Sequence, residues 1–464
     1  MSDRGLTVIT IPPATANGPL HVGHLSGPYL ASDIAARAAK ARGERVLAVA
    51  GVDVGQNFIP TMAENEGEDV EALIARCRAE ILEAFELGHI HYDTFVDPQT
   101  PSYRAAIADM VAAMVANGTA PLRETTLHAC EDCRRTLHHA YVAGTCSCCA
   151  SASSGGSCEG CGGFTSAQTL IDPSCDRCGG RAIAFTATVP VLRIEDFREQ
   201  LTAMWLRAEL PRRVRDLVEH YLAAGLPEVP LAYPTNWGVE GSGPLEGTRI
   251  DVYAEVGLAW VYGVAQALDS EATTLEQCAA VWRREVADLW QFHGIDNTFY
   301  FAIFWPALFA AAGIERLPLR GLVVNEFFTL DGLKFSTSRN HAIWAHEFLR
   351  DEDPAIVRLY LSWDRPDRRA TDFTRASYHA FAELVRPLLY GRPDAGRAAL
   401  PAQLTSAERG RGEQALELAE FDPALAARSM LSLLQSGVTD VGDVLRALTG
   451  VDTRAAAAAA LKAA

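Results

Sequence analysis

Residues 15–24 decide the fold, and they read Thr15-Ala16-Asn17-Gly18-Pro19-Leu20-His21-Val22-Gly23-His24. A short β-rich run over 6–11 precedes this stretch, and a helical pattern over 21–41 follows it and stops at Gly43. A second apolar strand is predicted over 45–50. Strand, loop, helix and strand in this order form a βαβ unit, which predicts a parallel sheet that binds its ligand at the carboxyl ends of the strands.

The two histidines of this stretch predict an anion site. His21 and His24 are three residues apart on the first turn of the helix, so both imidazoles face the same side. The unpaired N–H groups at a helix N-terminus already favour an anion, and two imidazole donors add to them. The arrangement suits a polyphosphate, and Gly23 leaves room for the nucleotide to approach closely. Taken alone, the tetrapeptide also fits two capping histidines.

Composition and charge narrow the class of protein. The chain has 464 residues, which at about 100–200 residues per domain predicts two to four domains. It carries 41 Lys and Arg against 58 Asp and Glu, a net charge of −17, so a broad basic surface for nucleic acid is not expected. The longest apolar run, 301–314, is too short to span a bilayer and contains Pro306, so we expect it in the core. Residues 1–10 show no signal-peptide pattern, and a cytoplasmic protein without membrane contact is expected.

Cysteine spacing predicts metal binding. Nine of the eleven cysteines lie between 130 and 178, and eight of them form four C-x-x-C pairs: Cys130/Cys133, Cys146/Cys149, Cys158/Cys161 and Cys175/Cys178. Two such pairs complete a tetrahedral zinc site with Zn–S bonds of about 2.3 Å, so four pairs predict two structural Zn²⁺ ions with no open coordination position. The alternative is a disulfide framework, which needs an oxidising compartment and is typical of small secreted chains. Cys148 is an alternative ligand, whereas Cys77 and Cys278 are expected to be buried thiols.

Three further segments add a family resemblance. They are Gly294-Ile295-Asp296, Phe304-Trp305-Pro306 and the run 334–339, which reads KFSTSR. Together with the histidine stretch they resemble the HIGH and KMSKS signatures of class I aminoacyl-tRNA synthetases. The zinc-knuckle insert looks like that of methionyl-tRNA synthetases in their two-zinc form, and the resemblance covers about residues 5–375. It implies an α/β fold, with a Rossmann-like parallel sheet split by the zinc-knuckle insertion and followed by a small α-helical C-terminal region.

The resemblance also implies an activity and its residues. ATP, with Mg²⁺, would react with an amino acid to give an aminoacyl adenylate. His21, His24 and Lys334 would be the catalytic groups, and Asp53 would anchor the α-ammonium group of the substrate. The implied ATP-binding residues are Asn17, Gly23, Gly294, Asp296, Ser336 and Ser338. The implied amino-acid-binding residues are Pro13, Thr15, Asp53, Tyr253, Val256, Trp260, Asn297, Phe301 and Trp305. The alternative for Asp53 and Asp296 is that each is an acidic residue in a loop, in contact with solvent and without a binding role.

Several positions depart from the family pattern. Thr337 replaces the second lysine of KMSKS, and Tyr233 stands where the family has an arginine. Losing one charge-stabilising contact typically costs about 10²–10³ in rate, so Thr337 counts against the hypothesis of amino-acid activation without excluding it. Compared with the family pattern, the side chains of the amino-acid pocket are larger at Val256, Trp260 and Phe301. They are smaller at Thr15 and Tyr253. We hypothesise a substrate that is smaller or more polar than methionine.

The predicted organisation has five parts. Residues 1–117 and 236–325 are expected to form the two halves of the catalytic domain, 118–235 the insertion, 326–380 the KMSKS-like region and 381–464 a reduced helical end. Apolar runs at 250–256, near Tyr300 and at 319–330 are expected to resume the sheet after the insertion. From 381 onward the chain has 9 Lys and Arg, 10 Asp and Glu and no Trp, a poor surface for stacking on bases and contacting phosphates. We expect these last helices to buttress the catalytic domain or to bind a partner protein.

Three hypotheses about function follow. The first is a methionyl-tRNA synthetase-like enzyme that passes the acyl group to a non-tRNA acceptor. Similar modules esterify an N-hydroxylated amine in hydrazine-forming pathways and work with a metal-binding cupin, which suggests an acceptor class and a partner protein. The second is a reduced methionine–tRNA ligase. Although the first hypothesis disfavours tRNA as a partner, the second keeps it open. The third is an inactive synthetase-like binding protein, which Thr337 and Tyr233 favour and the intact His21, His24 and Asp53 oppose.

Overall fold

The computed structural model describes residues 5–335, 341–391, 401–438 and 441–451, and a parallel sheet lies at its centre. The spatial order of the strands is Leu319–Asn325, Val286–Gly294, Leu6–Thr10, Val46–Asp53 and Ala14–Thr15, with Thr94–Val96 also paired to Val46–Asp53. Each of these pairs is parallel, and Ile9, for example, lies between Ala48 and Trp290. The parallel sheet predicted from the βαβ pattern is confirmed.

The helix after the first strand carries the two histidines. It consists of an α-helical turn, a π-helical turn and a longer α-helix: Val22–His24, Leu25–Tyr29 and Leu30–Ala41. The irregular turn contains Pro28, which has no backbone N–H to donate. It also contains Gly27, where a side chain would lie 3.2 Å from the Asn325 amide nitrogen. The helix predicted over 21–41 is therefore present, with a kink where it meets the sheet.

The second strand is longer than predicted. The sequence predicts a strand over 45–50, whereas the strand observed is Val46–Asp53. Its last two residues pair with Ala14–Thr15, and this short extra pairing extends the ladder towards the ligand edge of the sheet. The extension places Asp53 at the carboxyl end of a buried strand.

A long insertion separates the two halves of the sheet. After Thr94–Val96 the chain returns to the sheet only at Val286–Gly294. The insertion is built on an antiparallel pair, Leu122–Cys130 with Ala182–Arg193. Its shorter strands are Val142–Cys146, Ala152–Ser154, Gly156–Ser157, Phe164–Thr165, Leu170–Cys175, Glu228–Pro230, Ala232–Tyr233 and Arg249–Ile250. The helices between the two halves of the sheet are Pro101–Ala116, Arg198–Trp205, Arg212–Ala224, Val252–Leu268 and Leu275–Glu285.

The sheet resumes at a place that the sequence did not indicate. Of the three apolar runs expected there, only the last forms a strand of the sheet, Leu319–Asn325. Most of the first run belongs to helix Val252–Leu268, and Tyr300 begins a π-helical turn before helix Trp305–Ala311. Apolar runs of this length do not distinguish a buried strand from a buried helix. The missed strand, Val286–Gly294, has polar residues along its length, and these masked its β pattern.

The C-terminal helices pack against the first βαβ unit. They are Ala345–Asp351, Pro354–Trp363, Arg375–Tyr390, Ala402–Gln414, Pro423–Gln435 and Gly442–Thr449. The fully buried Arg358 donates a hydrogen bond to Asp33 (2.7 Å), on the helix that follows the histidines. It also donates to the Leu448 carbonyl (3.0 Å), near the end of the last of these helices. The last helix is therefore tied to the βαβ unit, which agrees with the first of the two roles expected for residues 381–464.

The longest apolar run of the chain lies in the core. Residues 301–314 are buried almost without interruption, as the sequence predicts. Within the described ranges, no helix is both long enough and apolar enough to cross a membrane.

Candidate functional site

A cavity of about 620 Å³ opens at the carboxyl ends of the central strands. Four strand ends contribute one residue each to its wall, namely Thr15, Asp53, Gly294 and Asn325. This edge is where open parallel sheets bind their ligands. The cavity brings together most of the site residues named from the sequence: Pro13, Thr15, Asn17, His21, Gly23, His24, Asp53, Tyr253, Val256, Gly294, Asp296, Asn297, Trp305 and Lys334.

Two of the described site residues named from the sequence do not line this cavity. Trp260 and Phe301 are buried in the core next to Trp305. Ser336 and Ser338 lie outside the described residues, as does Thr337.

The two histidines cap their own helix and stack on each other. The His21 amide donates to His24 Nδ1, and the His24 amide donates to His21 Nδ1, both at 3.2 Å. Their rings are 3.6 Å apart and nearly parallel. The protein around the rings removes water and lowers the pKa of His24 to about 4 and that of His21 well below its usual range. Both imidazoles are therefore neutral at pH 7 and offer hydrogen bonds rather than positive charge.

Gly23 is required by the packing around His21. The Phe335 ring stacks on His21 with centroids 4.4 Å apart. A side chain at position 23 would start 3.0 Å from both His21 Nδ1 and the Phe335 ring. The glycine thus lets the segment that contains Lys334 and Phe335 close over the start of the helix.

Asp53 is a buried carboxylate without a cationic partner. Its Oδ1 accepts hydrogen bonds from the backbone N–H groups of Gly55 (2.8 Å) and Gln56 (3.2 Å). Among the described residues no Lys, Arg or His forms an ion pair with it. Burial raises its pKa to about 6, so at neutral pH it is mostly ionised and suited to bind a cation from a ligand.

A second buried acid, Glu255, lies behind Asp53 and was missed from the sequence. Its Oε1 accepts a hydrogen bond from the Tyr103 hydroxyl (3.2 Å), and its Oε2 has no hydrogen-bond partner. Burial and the charge of Asp53 raise its pKa to about 8. Glu255 is the only charged residue in helix Val252–Leu268, and this isolation within an apolar helix was the signal available in the sequence.

Asp296 and Lys334 lie on the other side of the cavity. Gly294 leaves room for Asp296, because a side chain there would start 2.6 Å from Asp296 Oδ1. Burial and the charge of Glu159 raise the pKa of Asp296, and the charge of Lys334 opposes that shift. Lys334 forms an ion pair with Glu159, which the insertion contributes and which the sequence did not reveal.

Tyr253 and Trp305 form an aromatic part of the cavity wall. The Trp305 indole N–H donates to the Tyr253 carbonyl (2.7 Å), and the Tyr253 and Tyr300 rings stack at 3.5 Å. Trp260 and Phe301 pack edge-on against Trp305, with ring centroids 4.5 Å and 4.4 Å away. Trp260 and Phe301, which were expected to line the pocket, therefore lie in the core next to Trp305.

Eight cysteines form two separate clusters in the insertion. The outer cluster is Cys130, Cys133, Cys175 and Cys178, and the inner cluster is Cys146, Cys149, Cys158 and Cys161. Sulfur–sulfur distances across the clusters are 3.4, 3.7, 3.9 and 3.5 Å. Four thiolates on a tetrahedral Zn²⁺ with bonds of about 2.3 Å would be about 3.8 Å apart, so both clusters fit the ion. Cys148 belongs to neither cluster and is exposed, and Cys77 and Cys278 are buried free thiols.

Tyr233 lies away from the cavity. Its ring stacks on His138 at 4.5 Å, and both residues line a smaller cavity of about 260 Å³ within the insertion. Next to them, His139 Nε2 lies 2.5 Å from Asp251 Oδ2. The residue that departs from the family pattern is therefore part of the packing of the insertion.

Comparison with known proteins gives a consistent result in sequence. The family described as tRNA synthetases class I (M) matches residues 7–385. The methionine–tRNA ligase of Thermomicrobium roseum is 32% identical over 363 residues, which are 77% of this chain and 62% of that protein. The methionine–tRNA ligase of Pyrococcus furiosus is 30% identical over 385 residues, which cover 78% of this chain and 52% of that protein. The chain thus spans about half to three-fifths of the length of these curated relatives.

The comparison of structures gives the same fold. The crystal structure of Mycobacterium tuberculosis methionyl-tRNA synthetase bound by methionyl-adenylate superposes with a TM-score of 0.69 at 16% sequence identity. The superposition covers 97% of this chain and 92% of that one. The two chains therefore share the same overall fold.

Proposed function

This chain belongs to the class I tRNA synthetases (M), and on that premise we propose that it is a ligase that converts an amino acid into an aminoacyl adenylate at the expense of ATP. The observation that carries the proposal is Asp53. It is a buried carboxylate that has no basic partner among the described residues, and it lines the same cavity as His21, His24 and Lys334. A carboxylate in this state gains most from a ligand that brings its own cation, and the α-ammonium group of an amino acid is one.

In the proposed reaction a carboxylate oxygen of the amino acid attacks the α-phosphorus of ATP. The bond from that phosphorus to the bridging oxygen breaks, and pyrophosphate leaves. Asp53 holds the ammonium group, so that the substrate carboxylate points towards the nucleotide. Mg²⁺ on the triphosphate neutralises part of its charge. Because no proton needs to move, positioning and charge stabilisation are sufficient.

The histidines and Lys334 make different interactions with the phosphates. The neutral imidazoles of His21 and His24 donate N–H bonds from the start of the helix, where the backbone also favours an anion. Lys334 is the only Lys or Arg among the described residues that line the cavity, and it stabilises the departing pyrophosphate. By the family pattern, Gly294 and Asp296 bind the ribose, and Ser336 and Ser338 add hydroxyl donors. Zinc ions held by the two cysteine clusters would have a structural role in the insertion, since all-thiolate sites leave no position for a substrate.

For the second step we propose a small nucleophile as the acyl acceptor rather than a tRNA. The region from 381 onward has 9 Lys and Arg against 10 Asp and Glu, and its helices use their apolar faces to pack on the catalytic domain. This leaves no excess positive charge for a phosphate backbone. The family resemblance suggests an N-hydroxylated amine as the class of acceptor. It also suggests a cupin as the partner protein.

The second candidate function is a reduced methionine–tRNA ligase. The names of the relatives favour it, because those with 32% and 30% identity are methionine–tRNA ligases. This candidate predicts activation of methionine and transfer to tRNA.

Amino-acid-dependent ATP–pyrophosphate exchange tests both candidates. The assay is run with each common amino acid, with and without total tRNA, on protein whose zinc content has been measured. We expect exchange with one amino acid other than methionine, unchanged by tRNA. Exchange with methionine followed by charging of tRNA would select the reduced ligase. No exchange with any amino acid would contradict the proposed function and leave a synthetase-like binding protein.

A further inference from the structure

Gln56 is a cavity residue that the sequence did not single out. Its side chain is 7% exposed, and it lines the main cavity together with Thr15, Asp53 and Tyr253. The turn after strand Val46–Asp53 brings it there, because the Gln56 backbone N–H donates a hydrogen bond to Asp53 Oδ1 (3.2 Å). Gln56 therefore enters the cavity from the same segment as the proposed ammonium anchor.

The residue after Gln56 fixes this turn to the insertion. Asn57 is buried, its Nδ2 donates to the His138 carbonyl (2.8 Å), and its Oδ1 accepts from the Ala140 N–H (2.9 Å). The pairing of the strand that ends at Asp53 holds the other end of the turn. With both ends held, the backbone at Gln56 has little freedom, so its side chain starts from a fixed position next to Asp53.

The Gln56 amide presents its N–H groups to Asp53. Burial raises the pKa of Asp53, and hydrogen bonds from the backbone at Gly55 and Gln56 and from the side chains of Gln56 and Thr15 oppose that rise. An ionised carboxylate only accepts hydrogen bonds, so the amide must be the donor. Gln56 Oε1 is enclosed and has no hydrogen-bond partner among the described residues, so the N–H groups are the part of the amide that interacts with Asp53. Hydrogen bonding also links this amide to the Tyr253 side chain.

A neutral donor suits a carboxylate that has to bind a cation. A Lys or Arg at this position would neutralise the charge of Asp53 and compete with the ammonium group of the substrate, whereas an apolar side chain would leave the effect of burial less opposed. The amide stabilises the ionised form and keeps its charge available. Hydrogen bonds to charged groups are about twice as strong as those between neutral groups, so one such donor has a measurable effect.

We propose that Gln56 is a positioning residue for the amino acid, whose amide N–H keeps the Asp53 carboxylate ionised and oriented towards the ammonium group of the substrate. The inference rests on the proposed adenylate-forming function and adds a residue to its amino-acid side. Gln56 acts through Asp53, so its removal is expected to change the pH dependence of amino-acid use and to leave the binding of ATP unchanged.

The groups around Asp53 allow its ionisation to be followed in a pH profile. Among the described residues, the side chains that interact with its charge come from three helices and are Tyr29, Tyr103, Tyr253 and Glu255. Burial raises the pKa of each of the three tyrosines, and burial together with the charge of Asp53 raises that of Glu255 to about 8. All four are mostly neutral between pH 5 and 7, so over this range Asp53 is the member of the set that changes charge.

Gln56→Met keeps the length of the side chain and removes the amide, so it tests the inference. We expect the pKa of Asp53 to rise by about one pH unit when this hydrogen bond to a charged group is lost. With the amino acid that supports ATP–pyrophosphate exchange, kcat/KM is then expected to fall about twofold at pH 7 and about tenfold at pH 5 relative to the unmodified protein, with the KM for ATP unchanged. A loss of the same size at every pH, or no loss, would overturn the inference. Gln200→Met, at an exposed helix position, is the matched control.

A direct measurement separates this inference from the ligase function. NMR titration of protein labelled at its aspartate carboxyl groups, with Asp53→Asn to assign the signal, measures the pKa of Asp53 without a substrate. Gln56→Met is expected to raise that pKa, and Gln56→Glu to raise it further, because a second carboxylate there repels the first. An unchanged pKa in folded, zinc-containing Gln56→Met protein would refute the role of Gln56. A lack of exchange by the unmodified protein with every amino acid would contradict the ligase function instead.

Discussion

All the described residues that the family resemblance assigns to the nucleotide side line the cavity, whereas two of those that it assigns to the amino-acid side pack in the core instead. His21, His24 and Lys334 line the open part of the cavity. Trp260 and Phe301, which the sequence assigned to the amino-acid pocket, are buried against Trp305 and do not line it. The two sides also differ in their agreement with the family pattern, which is close on the first side and poor on the second.

This difference separates the residues that carry out the reaction from those that select the amino acid. Attack on the α-phosphorus needs the same phosphate contacts whichever amino acid is used, so the nucleotide side stays constant within such a mechanism. The choice of amino acid depends on the pocket, where a few changes in size and polarity alter discrimination strongly. We infer that this chain keeps the chemistry of its family and has changed its substrate.

The largest effect is expected at Asp53, where the two sides meet. Asp53→Asn removes the charge that we assign to the substrate ammonium group. Losing one partner of a buried charge pair typically costs about 2–5 kcal/mol, so we expect kcat/KM for the amino acid to fall by about 10³. Calorimetry is expected to show unchanged ATP binding. The exposed Asp216→Asn serves as control, and equal activity of the two variants would refute the assignment.

His24→Ala tests the nucleotide side alone. Removing a preorganised donor from a developing charge is expected to lower the exchange rate by about 10² with little change in the KM for the amino acid. The neighbouring capping bonds also change, so His220→Ala, on an exposed helix position, controls for loss of a histidine. A larger effect on the amino-acid KM than on the rate would contradict the separation of the two sides.

Acid is expected to affect the two substrates differently. The pKa of Asp53 is raised by burial to about 6, so below that pH it becomes neutral and no longer attracts an ammonium group. With decreasing pH, kcat/KM for the amino acid is then expected to fall by about tenfold per pH unit below 6. His24, with a pKa lowered to about 4, stays neutral between pH 5 and 7, so it does not add to this fall. The profiles are measured from pH 5 to 8, and parallel profiles for ATP and the amino acid would argue against this assignment.

The sequence was most informative where function depends on local spacing. The positions of His21 and His24 on one turn, and of paired cysteines on tight loops, follow from neighbours along the chain, and the structure places each set together. Glu255 and Glu159 were missed because their burial or contacts depend on segments far apart in sequence. Strand Val286–Gly294 was missed because its polar residues obscured the β pattern.

The aromatic residues illustrate the same limit on prediction. Trp260 and Phe301 are at pocket positions by alignment of motifs, yet the direction of each ring is set by packing on Trp305. A change from a smaller to a larger side chain can line a pocket or fill it, and only the tertiary packing decides between the two. The sequence therefore indicated that the pocket had changed but not that Trp260 and Phe301 pack in the core behind it.

The two cysteine clusters are expected to differ in their importance for activity. The inner cluster holds the loop that contains Glu159 and Gly162, and the Gly162 carbonyl accepts a hydrogen bond from the Phe299 amide (3.1 Å) next to the nucleotide side. Cys161→Ser and Cys133→Ser are each expected to lower the zinc content from two ions to one. Only Cys161→Ser, in the inner cluster, is expected to slow exchange, by up to about tenfold through displacement of that loop. Metal analysis and exchange rates on both proteins check this, and equal slowing by both would show that the insertion acts as one unit.

The smallest effect is expected at the contact between the insertion and Lys334. Glu159 pairs with Lys334, so we expect it to compete with the phosphates for the same ammonium group. Both side chains are substantially exposed, and such pairs are worth about 0.2–1 kcal/mol, or about 1.4- to 5-fold in an equilibrium constant. Glu159→Gln is therefore expected to lower the KM for ATP by a few-fold and to leave the KM for the amino acid unchanged. A raised KM for ATP would mean that Glu159 positions Lys334 for the phosphates, and the nucleotide side would then depend on the insertion as well as on the strand ends.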